Sequence, residues 1–142
     1  MPLDLGKDYA VKFAMRYQNP SINSVLEEFK KEGIDNIKVI PLYPQYAEAT
    51  TGSTIDEVNR VVSKWKNPPK LKFIKQFFDN PQLIEVIASK ASKWMNKAEY
   101  YHFLFSYHGL PESQIEKSSV DGCCKLDEKC CSQINKDNQY CM

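Results

Sequence analysis

The chain has 142 residues, enough for one domain with a core of its own, and its 19 basic and 18 acidic side chains leave a net charge of +1. The lysines are scattered among aspartates and glutamates, so no basic stripe marks a nucleic-acid surface and no nucleic-acid partner is expected. No apolar run approaches the roughly 20 residues of a transmembrane helix, and "MPLDLGKDYA" lacks the basic-then-apolar order of an export signal, so the expected compartment is the cytoplasm.

Along the chain, short β-like runs alternate with amphipathic helices. "VKFAMRY" (11–17) reads as a first strand. Asn19 is placed to cap a helix with Pro20 at its first position. Ile22, Val25, Leu26 and Phe29 then fall on one helical face, and Gly33 supplies a stop. "NIKVIPLYP" (36–44) is a second strand. Thr54 and Glu57 have capping-box spacing and predict a helix with Ile55, Val58, Val61, Val62 and Trp65 inside. "NPPK" (67–70) is a turn and "LKFIKQF" (71–77) a third strand. Asn80 and Pro81 repeat the cap-plus-proline start, before a stripe of Leu83, Ile84, Ile87, Ala91 and Trp94. "YYHFLFSYH" (100–108) is a fourth strand.

This order predicts an α/β fold, a largely parallel sheet with helices on both faces. Ligands of such sheets bind beyond the carboxyl ends of the strands. Those ends carry "MRYQNPS", "PLYPQYAEATTGS", "QFFDN" and "SYHGLP". After about residue 117 the periodicity fades into a polar segment. The first 122 residues contain no cysteine and the last 20 contain all five. A secreted framework would staple the whole chain, whereas a local cluster in a reducing compartment points to metal or redox chemistry. Two regions are therefore expected, 1–117 and 118–142.

His108 is the leading chemical candidate. It stands where an apolar strand stops and Gly109 begins a turn, and an imidazole there can bind a metal or take a proton. The plainer reading is a histidine that hydrogen-bonds within the turn. His102, inside the strand, reads as structural. In "PLYPQYAEATTGS", aromatic rings offer flat surface to a planar ligand, and a following helix N-terminus offers N–H groups to an anion. Its plainer reading is a tyrosine-rich loop capped by hydroxyls. Neither GxGxxG nor GxxxxGK[ST] is present, so dinucleotide and P-loop binding are unsupported. Arg16, at a strand end, can pair with a carboxylate. Alone it would read as a surface ion-pair partner.

Together "AMRYQNPSI", "PLYPQYAEATTGS" and "FSYHGLPE" resemble the signatures of the ferrochelatase family, which inserts ferrous iron into a porphyrin to make haem. The three occur in the family's order, and the resemblance runs through nearly the whole chain. It implies a class II chelatase-like, doubly wound fold, an enzyme of the lyase class, and porphyrin and Fe(2+) as substrates. It implies that His108 is the active-site histidine, which contacts the metal or takes pyrrole protons. It also implies that Arg16 and Tyr17 line the porphyrin cleft, and that Tyr43, Gln45, Tyr46, Thr50, Thr51 and Ser53 form the loop beside the macrocycle. The residue types suit that chemistry, because metallation removes two pyrrole protons and bends a flat ring.

Members of that family are considerably longer and have two similar lobes. The glycine-rich first strand and the acidic residue facing the histidine find no counterpart here, so the chain is expected to be a fragment, an incomplete lobe cut inside an insertion. Tyr107 stands where many relatives have a small residue, and "SSVDGCC" replaces a GDPY-like segment. Some bacterial relatives carry a [2Fe–2S] cluster, which implies that role for a subset of Cys123, Cys124, Cys130, Cys131 and Cys141. Four thiolates also suit zinc. The porphyrin is protoporphyrin IX or coproporphyrin III. The alternatives are a class II chelatase inserting cobalt or nickel into another tetrapyrrole, and a non-enzymatic cysteine-based metal-binding module in which His108 is structural. Metal analysis of the chain and of a version ending at Lys117 separates the last of these from the others.

Overall fold

The computed structural model describes residues 6, 8–95, 102–109, 111–119, 124, 127, 129 and 132. The chain divides into two compact units, Met1–Val39 with Ser53–Phe73, and Ile40–Gly52 with Ile74–Met142.

In the first unit, α1 (Ile22–Lys31) is followed by β1 (Asn36–Val39), α2 (Ser53–Val62) and β2 (Lys70–Phe73). β1 and β2 pair in parallel, with Asn36 opposite Lys70 and Val39 opposite Phe73. Successive strand side chains point to opposite faces. Ile37, Val39, Leu71 and Phe73 accordingly turn inward, while Lys38, Lys70 and Lys72 do not join the core. The helices supply Ile22, Leu26, Val58, Val61 and Val62, and Trp65 follows the last turn of α2. Each such aliphatic side chain contributes about 1.5–3 kcal/mol by leaving water.

The ends of α1 show how its sequence sets its length. The cap is Ser21, two residues later than the expected Asn19, and its Oγ accepts from the Ser24 N–H at 3.1 Å. Gly33 adopts φ +71°, a left-handed conformation that costs a side chain about 1–2 kcal/mol. From there the Gly33 N–H donates to the Lys30 carbonyl and the Ile34 N–H to the Phe29 carbonyl, the paired bonds of a Schellman stop. Outside the helix, Lys12 Nζ donates to Glu28 at 2.7 Å and to Glu32 at 2.6 Å.

In the second unit, a π-helical turn (Glu48–Gly52) precedes α2, and α3 (Pro81–Met95) and α4 (Glu112–Ser118) follow. α3 starts as expected: Asn80 Oδ1 accepts from the Gln82 N–H at 2.9 Å, with Pro81 at the first helical position. Its apolar stripe is exposed, however, with Trp94 72% accessible.

Two expected strands do not form. Residues 11–17 make only one isolated bridge, Met15 with Ser21, and 102–108 join no ladder. Residues 100 and 101 lie outside the described residues. A β-like run becomes a strand only where neighbours accept and donate its backbone hydrogen bonds along a ladder; in 11–17 the Met15 N–H donates to the Pro20 carbonyl at 2.7 Å, but the described residues form no ladder there. β1 and β2 are also shorter than expected. The capping box at Thr54 and Glu57 is not the start of α2, because the π-helical turn runs straight into Ser53 and the Glu57 carboxylate reaches forward to Arg60. Among the described residues no helix is long and apolar enough to cross a membrane.

Candidate functional site

β1 ends at Val39 and the chain leaves through Pro41 and Pro44, whose rings fix φ and remove N–H donors. The Phe77 N–H donates to the Pro44 carbonyl at 2.8 Å and holds this exit. The next turn is gathered on one acceptor. The Ala47 carbonyl receives the Thr50 N–H at 3.1 Å, the Gly52 N–H at 3.1 Å and the Thr50 hydroxyl at 3.2 Å. The bond from Gly52 spans five residues and gives the turn its π character, a form that occurs often at functional sites.

Against this loop lies His108. Tyr43, Pro44, Gln45, Tyr46, Ala47, Thr50 and His108 line one pocket within the second unit. The imidazole is exposed, and a Cβ added at the adjacent Gly109 would meet nothing within 4 Å. Two phenol rings, an amide, a hydroxyl and an imidazole thus surround one opening. That set can hold a flat aromatic ligand and present a base or metal-binding nitrogen to it.

The remaining candidates are placed differently. In the first unit, Arg16 Nε donates to the Ser53 carbonyl at 3.1 Å and to its Oγ at 3.0 Å, while the guanidinium stands 4.6 Å from the Tyr17 ring centroid. The Tyr17 hydroxyl lies 3.4 Å from Ser53 Oγ. Arg16, Tyr17 and Ser53 therefore form one cluster at the start of α2. The charge of Arg16 also reaches Glu57, whose carboxyl is held below the usual range mainly by its hydrogen bond from Arg60. Thr51 lines no opening: it is fully buried, and its hydroxyl has no hydrogen-bond partner among the described residues. His102, read as structural, is exposed.

Of the cysteines, Cys123, Cys130, Cys131 and Cys141 lie outside the described residues. Cys124 is a half-buried free thiol whose backbone N–H donates to Ser119 Oγ at 3.0 Å. Among the described residues no three His, Cys, Asp or Glu side chains gather as a metal site. Sequence reasoning missed Glu48, which accepts from the Tyr46 hydroxyl at 2.5 Å and folds against Gly52. The signal available for it was an acid four residues before a glycine, one helical turn away.

The parallel ladder and its flanking helices define an incomplete α/β fold of the chelatase class. The chain belongs to the ferrochelatase family, whose model matches residues 2–140. It is 44% identical over 114 residues to "Ferrochelatase" of Aquifex aeolicus, covering 80% of this chain and 37% of that protein. It is 41% identical to "Ferrochelatase 2" of Shewanella oneidensis, over 78% of this chain and 34% of that protein. With "Ferrochelatase" of Bdellovibrio bacteriovorus it shares 33% identity, over 97% of this chain and 40% of that protein. The chain thus spans 34–40% of the length of these relatives. No solved structure matches it significantly. Neither alternative, a cobalt or nickel chelatase or a metal-binding module, is favoured by these matches.

Proposed function

We propose that the protein carrying this chain is a haem-forming lyase that inserts Fe(2+) into a porphyrin, protoporphyrin IX or coproporphyrin III. The observation that carries the reading is His108 in one pocket with Tyr43, Gln45, Tyr46 and Thr50, residues far from it in sequence. In the reaction a porphyrin bearing two pyrrole N–H groups and a ferrous ion become the metalloporphyrin and two protons. His108 accepts a pyrrole proton or meets the iron. The Tyr43 and Tyr46 rings hold the macrocycle, and Gln45 and Thr50 orient it. Thr51 supports the turn from inside, consistent with its burial.

The test is iron insertion by the protein carrying this chain, with and without His108→Ala. The substitution should lower turnover at least about a hundredfold, the usual size of a lost acid–base group, while porphyrin still quenches the protein's fluorescence. Near-normal turnover would remove His108 from the mechanism.

For the cysteine segment the proposal is a [2Fe–2S] cluster, with zinc as the competing occupant. Its support is the donor set itself, five thiols between Cys123 and Cys141 with none elsewhere. Thiolates so crowded repel unless a cation neutralises them. Anaerobic protein with iron, sulfide and visible absorption supports the cluster, and colourless protein with stoichiometric zinc excludes it. A cysteine cluster confined to one segment also fits a cytoplasmic location, where stable disulfides are rare.

A further inference from the structure

The wall of the His108 pocket contains a side chain held by a residue outside the pocket. Tyr46 lines the opening, and its hydroxyl donates to Glu48 Oε2 at 2.5 Å. Glu48 opens the π-helical turn, and Gly52 closes it. The Glu48 carboxyl lies against Gly52, so a Cβ built on Gly52 would come within 2.8 Å of Cδ, 2.8 Å of Oε1 and 2.9 Å of Oε2. Those are its three nearest neighbours, and all belong to one carboxyl group. Gly52 has no left-handed φ to require glycine. What requires the missing side chain is the carboxylate occupying its place.

We infer that Glu48 is a positioning residue for porphyrin binding: its carboxylate, seated on Gly52, fixes the Tyr46 ring in the pocket wall. This rests on the functional reading above and adds to it a residue that does not itself line the pocket. A hydrogen bond at the hydroxyl narrows the rotamers open to a loop tyrosine, and holding one in advance removes ordering cost from ligand binding. A charge-assisted hydrogen bond is strong enough to select the rotamer.

The experiment measures porphyrin dissociation constants by fluorescence quenching, using the protein carrying this chain. Glu48→Ala should weaken binding about tenfold, the scale of a lost hydrogen bond to a charged group, while turnover at saturating porphyrin is kept. Glu48→Gln retains an acceptor of the same shape and should bind within about twofold of the unaltered protein. Gly52→Ala needs no left-handed backbone and sets its Cβ against the carboxylate, so it should weaken binding as Glu48→Ala does. On a Tyr46→Phe background, Glu48→Ala should have no further effect, because the pair acts as one unit. Full and independent loss from Glu48→Ala on that background, or binding by Glu48→Ala equal to the unaltered protein, would overturn the inference. Unaltered protein that binds no porphyrin would instead sink the functional reading and the inference with it.

Discussion

α2 and α3 are both amphipathic helices, yet they meet opposite fates. α2 buries Val58, Val61 and Val62, whereas α3 has no buried residue and leaves Ile84, Ile87 and Trp94 exposed. α2 lies in a unit with a two-stranded ladder and a second helix, where Ile37 and Leu26 complete a shared core. In the unit that contains α3, the apolar run 102–108 forms no strand, and Leu104 is 94% accessible. Helical periodicity thus specifies which face is apolar; burial follows only where a paired sheet presents a matching surface.

The comparison is broken most forcefully by cutting the same number of methyl groups from each helical system. Leu26→Ala, on α1 in the core that α2 shares, should destabilise by about 2–5 kcal/mol. Ile87→Ala, on α3, should stay within about 0.5 kcal/mol, both read from denaturant midpoints. Equal losses would mean that α3 packs as tightly as the core α2 shares.

Gly33→Ala sharpens it at the next scale. The site has open space around it, so steric crowding contributes nothing and the left-handed backbone alone should cost about 1–2 kcal/mol. The unit that carries the ladder should lose midpoint stability, with no change in porphyrin binding.

The smallest effect belongs to Glu57. Its carboxyl is more acidic in the folded chain than when unfolded, chiefly through the Arg60 hydrogen bonds. The folded state therefore holds fewer protons in the acidic window. The contribution is complete above the ordinary carboxylate range and fades as pH falls through the lowered folded value. Glu57→Gln should remove that slope and leave the midpoint at neutral pH nearly unchanged, because the Arg60 end of the pair is more than half accessible and solvent screens the interaction. An unaltered acid limb would show that the pair forms equally in the unfolded chain.

What could be read from the sequence follows the range of the interactions involved. The Asn80–Pro81 start, the Gly33 stop and the places of β1 and β2 depend on neighbours a few residues away, and all were legible. The strands at 11–17 and 100–108 needed a ladder partner that local pattern cannot supply. Thr54 and Glu57 had the right spacing for a cap, but Arg60 offered the carboxylate two charged donors instead of one amide. Most of the candidate pocket was named from motifs, since Tyr43, Gln45, Tyr46, Thr50 and His108 do converge. Glu48 was not, because its part depends on the π-helical turn, and nothing in "AEATTG" distinguishes that turn from an ordinary helical one.

Lys12 gives α1 a sensitivity to ionic strength that can change sign. Glu28 on α1 and Glu32 at its C-cap stand one turn apart, where like charges repel, and the single ammonium of Lys12 bridges both. With Lys12 present, the interaction that dissolved salt screens at this spot is an attraction, so added salt loosens the helix's tie to the preceding segment. With Lys12 replaced by a neutral residue, only the repulsion between the two carboxylates remains to be screened, and the same salt would tighten α1 instead.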